Sequence, residues 1–385
     1  MGRLRYLTAG ESHGPQLTAI LEGCPAGLTL QAADIDRDLR RRQLGFGRGG
    51  RQAIERDAVT ILAGVRYGRT TGAPIALAIA NRDHANWVAK LAVDEVAEPS
   101  EPLRIPRPGH ADLGGALLYD LDDLRDVIER ASARETAARV ACGAVARKLL
   151  AEIGCRIYSH VVEIAGIAVA AEADEERLRG VDDDPVRCLD PQASVEMQAA
   201  ISAAAERGDT VGGVFEVVVY GYPPGVGSYV QADRRLGAKL AQALMSINAI
   251  KGVEVGLGFA AAATPGSEFQ DEIGYDERRG YYRLTNRAGG IEGGISTGEP
   301  IVLRAVMKPI ATLMQPLASV EMGTHRPVKA HVERSDVCAV PAAAVVGEAA
   351  VSLALAEAAL ERFGGEALTD FVAAVAAFQA RLRRR

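Results

Sequence analysis

The sequence predicts an α/β fold in which a long helix is enclosed between two layers. Ala342 to Ala359 is apolar almost all round, the pattern of a helix covered on every side and not along one stripe. Strand-like apolar runs recur at Leu17–Leu21, Ile75–Ile79, Val214–Tyr220 and Ile301–Val306, separated by turn residues. Ala137, Val140, Ala141, Ala144, Val145 and Leu149 share one face at helical spacing, and most are small enough for close packing. We find no internal repeat and no dividing linker, so residues 1–385 are expected to form a single domain.

In chain order, Arg3 to Thr8 reads as a strand. Gly10-Glu11-Ser12-His13-Gly14 follows as a tight turn that exposes the imidazole. Adjacent Ser and His side chains rarely point at each other, which argues against Ser12 as a nucleophile activated by His13. Asp34 is expected to cap a helix ending in Arg37, Arg40, Arg41 and Arg42, because cations are favoured at a helix C-terminus. Gly45 to Arg51 is glycine-rich and basic, and in an acidic chain it reads better as an arginine lid over a small polyanion than as an RNA-binding segment. Val59–Gly64 is a strand. Asn81–Trp87, with His84 and the single Trp, is assigned to packing, and residues 92–105 to an acidic surface excursion. Arg107-Pro108-Gly109-His110-Ala111-Asp112 sets a second histidine near glycine and arginine, so His13 and His110 read as paired proton-transfer groups.

Ser132 is expected to cap the next helix, with Glu135 completing a capping box. Its N-terminus, beside Arg130 and Arg134, is suited to an anion. Residues 156–169 alternate as a strand, 170–185 form an acidic surface element, and Ala193–Arg207 is helical. Leu236, Leu240, Leu244 and Ile247 mark a further helix, Val253–Phe259 a strand, and 314–330 an irregular loop. Pro341 suits the first turn of the last long helix and Gly364 its end, with Arg381–Arg385 expected to fray.

The densest glycine stretch lies at Asn286 to Pro309, with Gly289, Gly290, Gly293, Gly294 and Gly298 close together. Such density suits backbone that turns sharply or approaches a ligand closely, and a ligand-free glycine hairpin fits the same spacing. No strand leads into a G-x-G-x-x-G that opens a helix, so a dinucleotide fingerprint is excluded.

Lys+Arg number 44 against Asp+Glu 50, a net charge of −6, which disfavours general nucleic-acid binding. Cys24, Cys142, Cys155, Cys188 and Cys338 contain no C-x-x-C pair, pointing away from a metal site and toward reduced thiols in a cytosol. The N-terminus shows neither a secretory signal nor a membrane span, so a cytoplasmic protein is expected.

Taken together, these motifs closely resemble the chorismate synthase family along nearly the whole chain. The resemblance rests on Gly10–Gly14, Arg40–Arg51, Arg107–Asp112, Arg130–Arg139, Asp209-Thr210-Val211-Gly212-Gly213, Ser246–Gly252, Asn286–Pro300, Lys308-Pro309 and Arg334-Ser335-Asp336, all in this order. It implies a sandwich of antiparallel sheets flanking a central layer of long helices, assembled as a homotetramer. It also implies the substrate 5-enolpyruvylshikimate 3-phosphate, the products chorismate and phosphate, and reduced FMN as an obligatory cofactor without net redox change.

The same resemblance implies roles for particular residues. Arg40, Arg48, Arg107 and Arg134 would hold the trianionic substrate. His13 would keep the flavin suitably protonated, His110 would assist the departing phosphate, and Asp336 would help remove the ring proton. Asp336 has a rival role as N-terminal partner of the last helix. Arg130, Ala131, Ser132, Asn248, Ala249, Gly293, Lys308, Pro309, Ile310, Ala311, Thr312 and Arg334 would contact FMN. The family pattern consumes the whole length, so an outside source of reduced flavin is expected, with Arg40 and Arg48 as contacts if NADPH is the reductant.

Overall fold

The computed structural model describes residues 4–49, 55–169, 173–277, 279–333 and 335–384. Strands β1 (Arg5–Ala9) and β2 (Gln16–Glu22) form an antiparallel hairpin. Helix α1 (Ala32–Gln43) follows, then β3 (Val59–Ala63) and β4 (Ile75–Ala80), which complete a four-stranded antiparallel sheet ordered β1-β2-β4-β3. Leu17, Ala19 and Leu21 of β2 and Ile75, Leu77 and Ile79 of β4 are buried, because alternate side chains of a strand share one face.

Helices α2 (Asp112–Tyr119), α3 (Leu124–Ala131) and α4 (Thr136–Ala151) come next, and α4 packs on β2 and β4. The second sheet is assembled from β5 (Arg156–Ile164), β6 (Ile167–Ala168), β7 (Gly213–Tyr220), β8 (Ile250–Val255) and β9 (Ile301–Met307), in the order β8-β9-β7-β5-β6. Helices α5 (Pro191–Glu206) and α6 (Leu236–Met245) fall between these strands in sequence. The chain closes with α7 (Val340–Phe363) and α8 (Leu368–Leu382).

Helix α7 touches α4, α6 and α1 as well as β5 and β7, which is why nearly every face of it is apolar. By length and composition α7 could cross a membrane, yet 94% of its most apolar window is buried inside the fold. Glycine permits two close approaches around this helix. A Cβ at Gly143 would lie 2.4 Å from Ala349 Cβ, and one at Gly347 would lie 2.5 Å from the Phe215 ring. Gly347→Val is therefore expected to cost about 1–3 kcal/mol by overpacking, read from the denaturant midpoint.

One acid interrupts the apolar helix. Glu348, 2% exposed, accepts a bidentate fork from Arg41 at 2.7 and 2.8 Å, and further bonds from Arg147 (3.0 Å), Arg187 (3.3 Å) and Ser159 Oγ (2.6 Å). Asp38 and Asp182 pair with the same arginines from the outer side. Burial works to raise the Glu348 carboxyl, but the arginines outweigh it and hold it at about 2.

Several expectations need correction. Asp34 is not the N-cap of α1: Gln31 is, and Asp34 reaches back to the Gln31 N–H at 2.8 Å as the third helical residue. Ser132 caps a short 3-10 turn, Ala133–Glu135, leading into α4, and Glu135 accepts instead from Thr8 (2.7 Å) and Arg139. The stretch expected to run as a strand to Phe259 leaves the sheet at Val255, because Gly256 and Gly258 take positive φ (60° and 55°). Residues 314–330 contain a hairpin pairing Ala318–Val320 with Pro327–Lys329. Helix α8 continues through Leu382, with the Arg381 guanidinium over the Phe378 ring one turn earlier. All five cysteines are free and buried, and burial pushes the Cys24, Cys142 and Cys155 thiols up to about 12.

Candidate functional site

His13 sits in the turn between β1 and β2. Gly10 makes the turn possible: at φ 109° a Cβ there would lie 2.4 Å from Gln16 O. Asn81, just past β4, donates from Nδ2 to Glu11 O (3.1 Å) and Gly14 O (2.8 Å) and so clamps the loop. Glu129, on the inner side of α3, accepts from the His13 backbone N–H at 2.7 Å and lies 2.9 Å from Nδ1. The ring stacks on Trp87 with centroids 4.0 Å apart, and His84 Nδ1 lies 2.9 Å from His13 O. The segment assigned to packing thus forms one wall of the site.

His110 is backed in the same manner. Its Nδ1 bonds to Asp112 Oδ1, and Asp112 is fully buried. Burial works to raise the Asp112 carboxyl, but the bonds from His110 and Arg107 hold it far below the usual carboxylate range. An ionised carboxylate can only accept, so Nδ1 carries the proton and Nε2 is left for a ligand. Arg107 spends its backbone N–H, Nε and Nη2 on Asp112 at 3.0, 2.8 and 3.0 Å and donates from Nη1 to Thr312 Oγ1 at 3.0 Å. Its guanidinium thus orients Asp112 and Thr312.

The two histidine centres are joined. Arg125 lies 3.5 Å from Glu129 and 2.8 Å from Glu333, and Glu333 lies 3.6 Å from Arg107. Three residues beyond Glu333, Asp336 accepts from Arg48 Nη1 at 2.8 Å and from the Gly49 N–H at 2.6 Å. Helix α7 begins later, with Ala339 as its N-cap, so Asp336 does not cap it.

Arg134 is buried against Asp57 (2.5 Å) and Asn81 (2.9 Å), and Arg42 shares Asp57 at 3.2 Å. Burial, with Arg134 and Arg48 nearby, pulls Arg42 down to about 10 against the opposing pull of Asp57. Within this cluster, Arg48 Nε and Arg134 Nη2 are buried donors without a hydrogen-bond acceptor among the described residues, Arg134 Nη2 lying 3.7 Å from Glu55. Arg40 is exposed on α1 and makes no ion pair among the described residues. Arg334 lies outside the described residues.

Most residues expected to contact FMN converge. Asn248 Nδ2 donates to Ala131 O at 3.0 Å, and Lys308 N donates to Ala249 O at 3.0 Å. Lys308 Nζ reaches Gly109 O at 2.7 Å, and Thr210 Oγ1 reaches Ile310 O at 2.7 Å. Ser132 Oγ meets Ser12 Oγ at 3.0 Å, and Arg130 bonds to Thr8. Thus residues 130–132, 248–249 and 308–312 border the two histidine loops, a set with backbone amides, hydroxyls and a lysine that fits a phosphate-bearing aromatic cofactor.

Gly293 stands apart, in an open cavity of about 590 Å³ with Arg235, Phe269 and Ile291. The glycine-rich stretch serves mostly its own chain. A Cβ at Gly289, Gly290 or Gly294 would meet backbone at 2.4, 2.5 and 2.6 Å, whereas Gly293 faces open space.

Sequence reading missed Glu129, Arg125, Glu333, Trp87, Arg42 and Asp57. Asp112 was visible beside His110, but no local pattern links Glu129 to a histidine 116 residues away. Among the described residues no His/Cys/Asp/Glu group is arranged to hold a metal ion.

The sequence profile of the family described as chorismate synthase matches residues 4–360. "Chorismate synthase" of Geobacillus thermodenitrificans is 55% identical over 94% of this chain and 95% of its own length. That of Geobacillus kaustophilus is 56% identical with the same coverage. "Chorismate synthase 1" of Bacillus cereus is 55% identical, again over 94% and 95%. A solved structure described as "Crystal Structure of Chorismate Synthase" aligns with a TM-score of 0.81 at 42% identity, covering 99% of both chains.

Proposed function

The chain belongs to the chorismate synthase family, and from that premise we propose that it eliminates phosphate from 5-enolpyruvylshikimate 3-phosphate, in the anti-1,4 sense, to give chorismate. The observation that supports this most is the pair of buried arginine donors, Arg48 Nε and Arg134 Nη2. A buried donor without an acceptor costs about 1–3 kcal/mol, a cost that a ligand with two carboxylates and a phosphate removes.

Residues 130–132, 248–249 and 308–312 would hold reduced FMN, which when bound supplies reversible electron donation to the breaking allylic bond. His110 Nε2 would hold a proton for the leaving phosphate oxygen, because Asp112 occupies Nδ1. His13 Nε2 would serve as a second proton-holding atom. Asp336 would act as base from a carboxylate shared with Arg48 and Gly49. Arg40, exposed and without an ion pair among the described residues, would help hold the substrate, or meet an outside reductant such as NADPH.

The same reading takes α4 and α7 as a central helix layer between the two antiparallel sheets, in one domain of a cytoplasmic homotetramer. Support comes from α4 packing on the four-stranded sheet, α7 on the five-stranded sheet, and each on the other. An anaerobic assay with photoreduced FMN, with and without NADPH, tests the reaction. Phosphate release without NADPH is the expected result. Stoichiometric NADPH oxidation coupled to turnover would instead make the protein a conventional oxidoreductase.

A further inference from the structure

We propose that Glu129 is a positioning residue that holds the proton of His13 on Nδ1, so that Nε2 is the atom the site presents to its ligand. The inference rests on the reading of His13 as a reacting group and extends it to a carboxylate from another part of the chain.

Four contacts support it. Glu129 is buried; its Oε2 accepts from the His13 backbone N–H (2.7 Å), and Nδ1 lies within reach of both its oxygens (2.9 and 3.0 Å). One carboxylate therefore fixes both where the loop sits and how the ring is turned. Trp87, stacked at 4.0 Å, blocks one ring face and stops rotation about the bond to the ring. Arg125, 3.5 Å from Glu129 and with its guanidinium 5.2 Å from the Trp87 ring centre, holds acid and indole together. With Nδ1 occupied and one face covered, Nε2 is the ring's remaining polar atom, and its nearest charged neighbour is Asp83 at 3.9 Å.

An imidazole that donates from Nδ1 to a carboxylate keeps its Nε2 lone pair outward and is strengthened as a base, the orienting logic of histidine–carboxylate pairs in general. Asp112 does the same for His110, so the site contains two such pairs linked through Arg125, Glu333 and Arg107. The charged groups facing His13 are Glu129 and Arg125 from α3 and Asp83 from the segment after β4, with Lys90 reaching the far side of the indole.

Ring ¹⁵N shifts of His13 give a direct readout: the wild type should show Nδ1–H, and Glu129→Gln, which keeps size but removes the anion, should lose that preference. Glu129→Gln should also lower kcat by about tenfold or more with KM within about twofold, and Glu129→Asp should restore part of it.

Nε2–H in wild-type His13, a measurement that needs no variant to fold, overturns the proposal. Nδ1–H with unchanged turnover in Glu129→Gln would sink the reacting role of His13 while leaving the Glu129 pair standing.

Discussion

Glu348→Ala is expected to remove about 3–5 kcal/mol of stability, the scale for deleting one partner of a buried charge cluster. The loss comes less from the missing acid than from what stays behind. Arg41 would keep Asp38 and Asp182, Arg147 would keep Asp38 and Arg187 would keep Asp182, but all three would lose the central acid between the helices and β5. Glu348→Leu should be nearly as damaging although it fills the space, which separates the electrostatic cause from a cavity. Urea denaturation of the three proteins measures this, and a change under about 1 kcal/mol for either variant would refute it.

The pH dependence of that contribution has a definite sign. The Glu348 carboxyl stands at about 2 in the folded protein, against an ordinary value of 4.5. A depressed carboxyl stabilises the fold above its unfolded value, and the benefit is lost as pH falls from about 4.5 toward 2. Wild type should therefore lose stability through that window more steeply than Glu348→Leu.

His110→Ala is expected to lower turnover by about a hundredfold or more, as is His13→Ala, since each removes a group proposed to transfer a proton. Asp112→Asn should mimic His110→Ala in part. It leaves the imidazole in place but removes the acceptor that commits Nδ1 and frees Nε2. It also releases Arg107, whose bonds to Asp112 and Thr312 brace the edge of the expected flavin site. Single-turnover rates under anaerobic conditions with reduced FMN would check this, and near-normal turnover in His13→Ala or His110→Ala would remove that histidine from the reaction.

Much of the architecture was legible because local chemistry dictates it. Strands appear where alternation and β-branched residues demand them, and α7 is recognisable because a helix enclosed on all sides must be apolar on all sides. What blurred the reading was competition at element ends. Glu135 could close a capping box or accept from Thr8 and Arg139, and only the packing of β1 beside α4 chose the second. Helices α2 and α3 escaped notice because each is only eight residues long.

The sequence by itself determined which residues could do chemistry: two histidines bracketed by glycine, a set of arginines in an acidic chain, and an acid following Arg334-Ser335. Tertiary structure alone decided how those groups are employed. It committed Arg107 to Asp112 and Arg48 to Asp336, left one donor each on Arg48 and Arg134 without a hydrogen-bond acceptor among the described residues, and brought Glu129 and Trp87 to His13. Charge partners are selected by distance in space, over a few ångströms of low-dielectric interior, and no spacing along the chain encodes that distance.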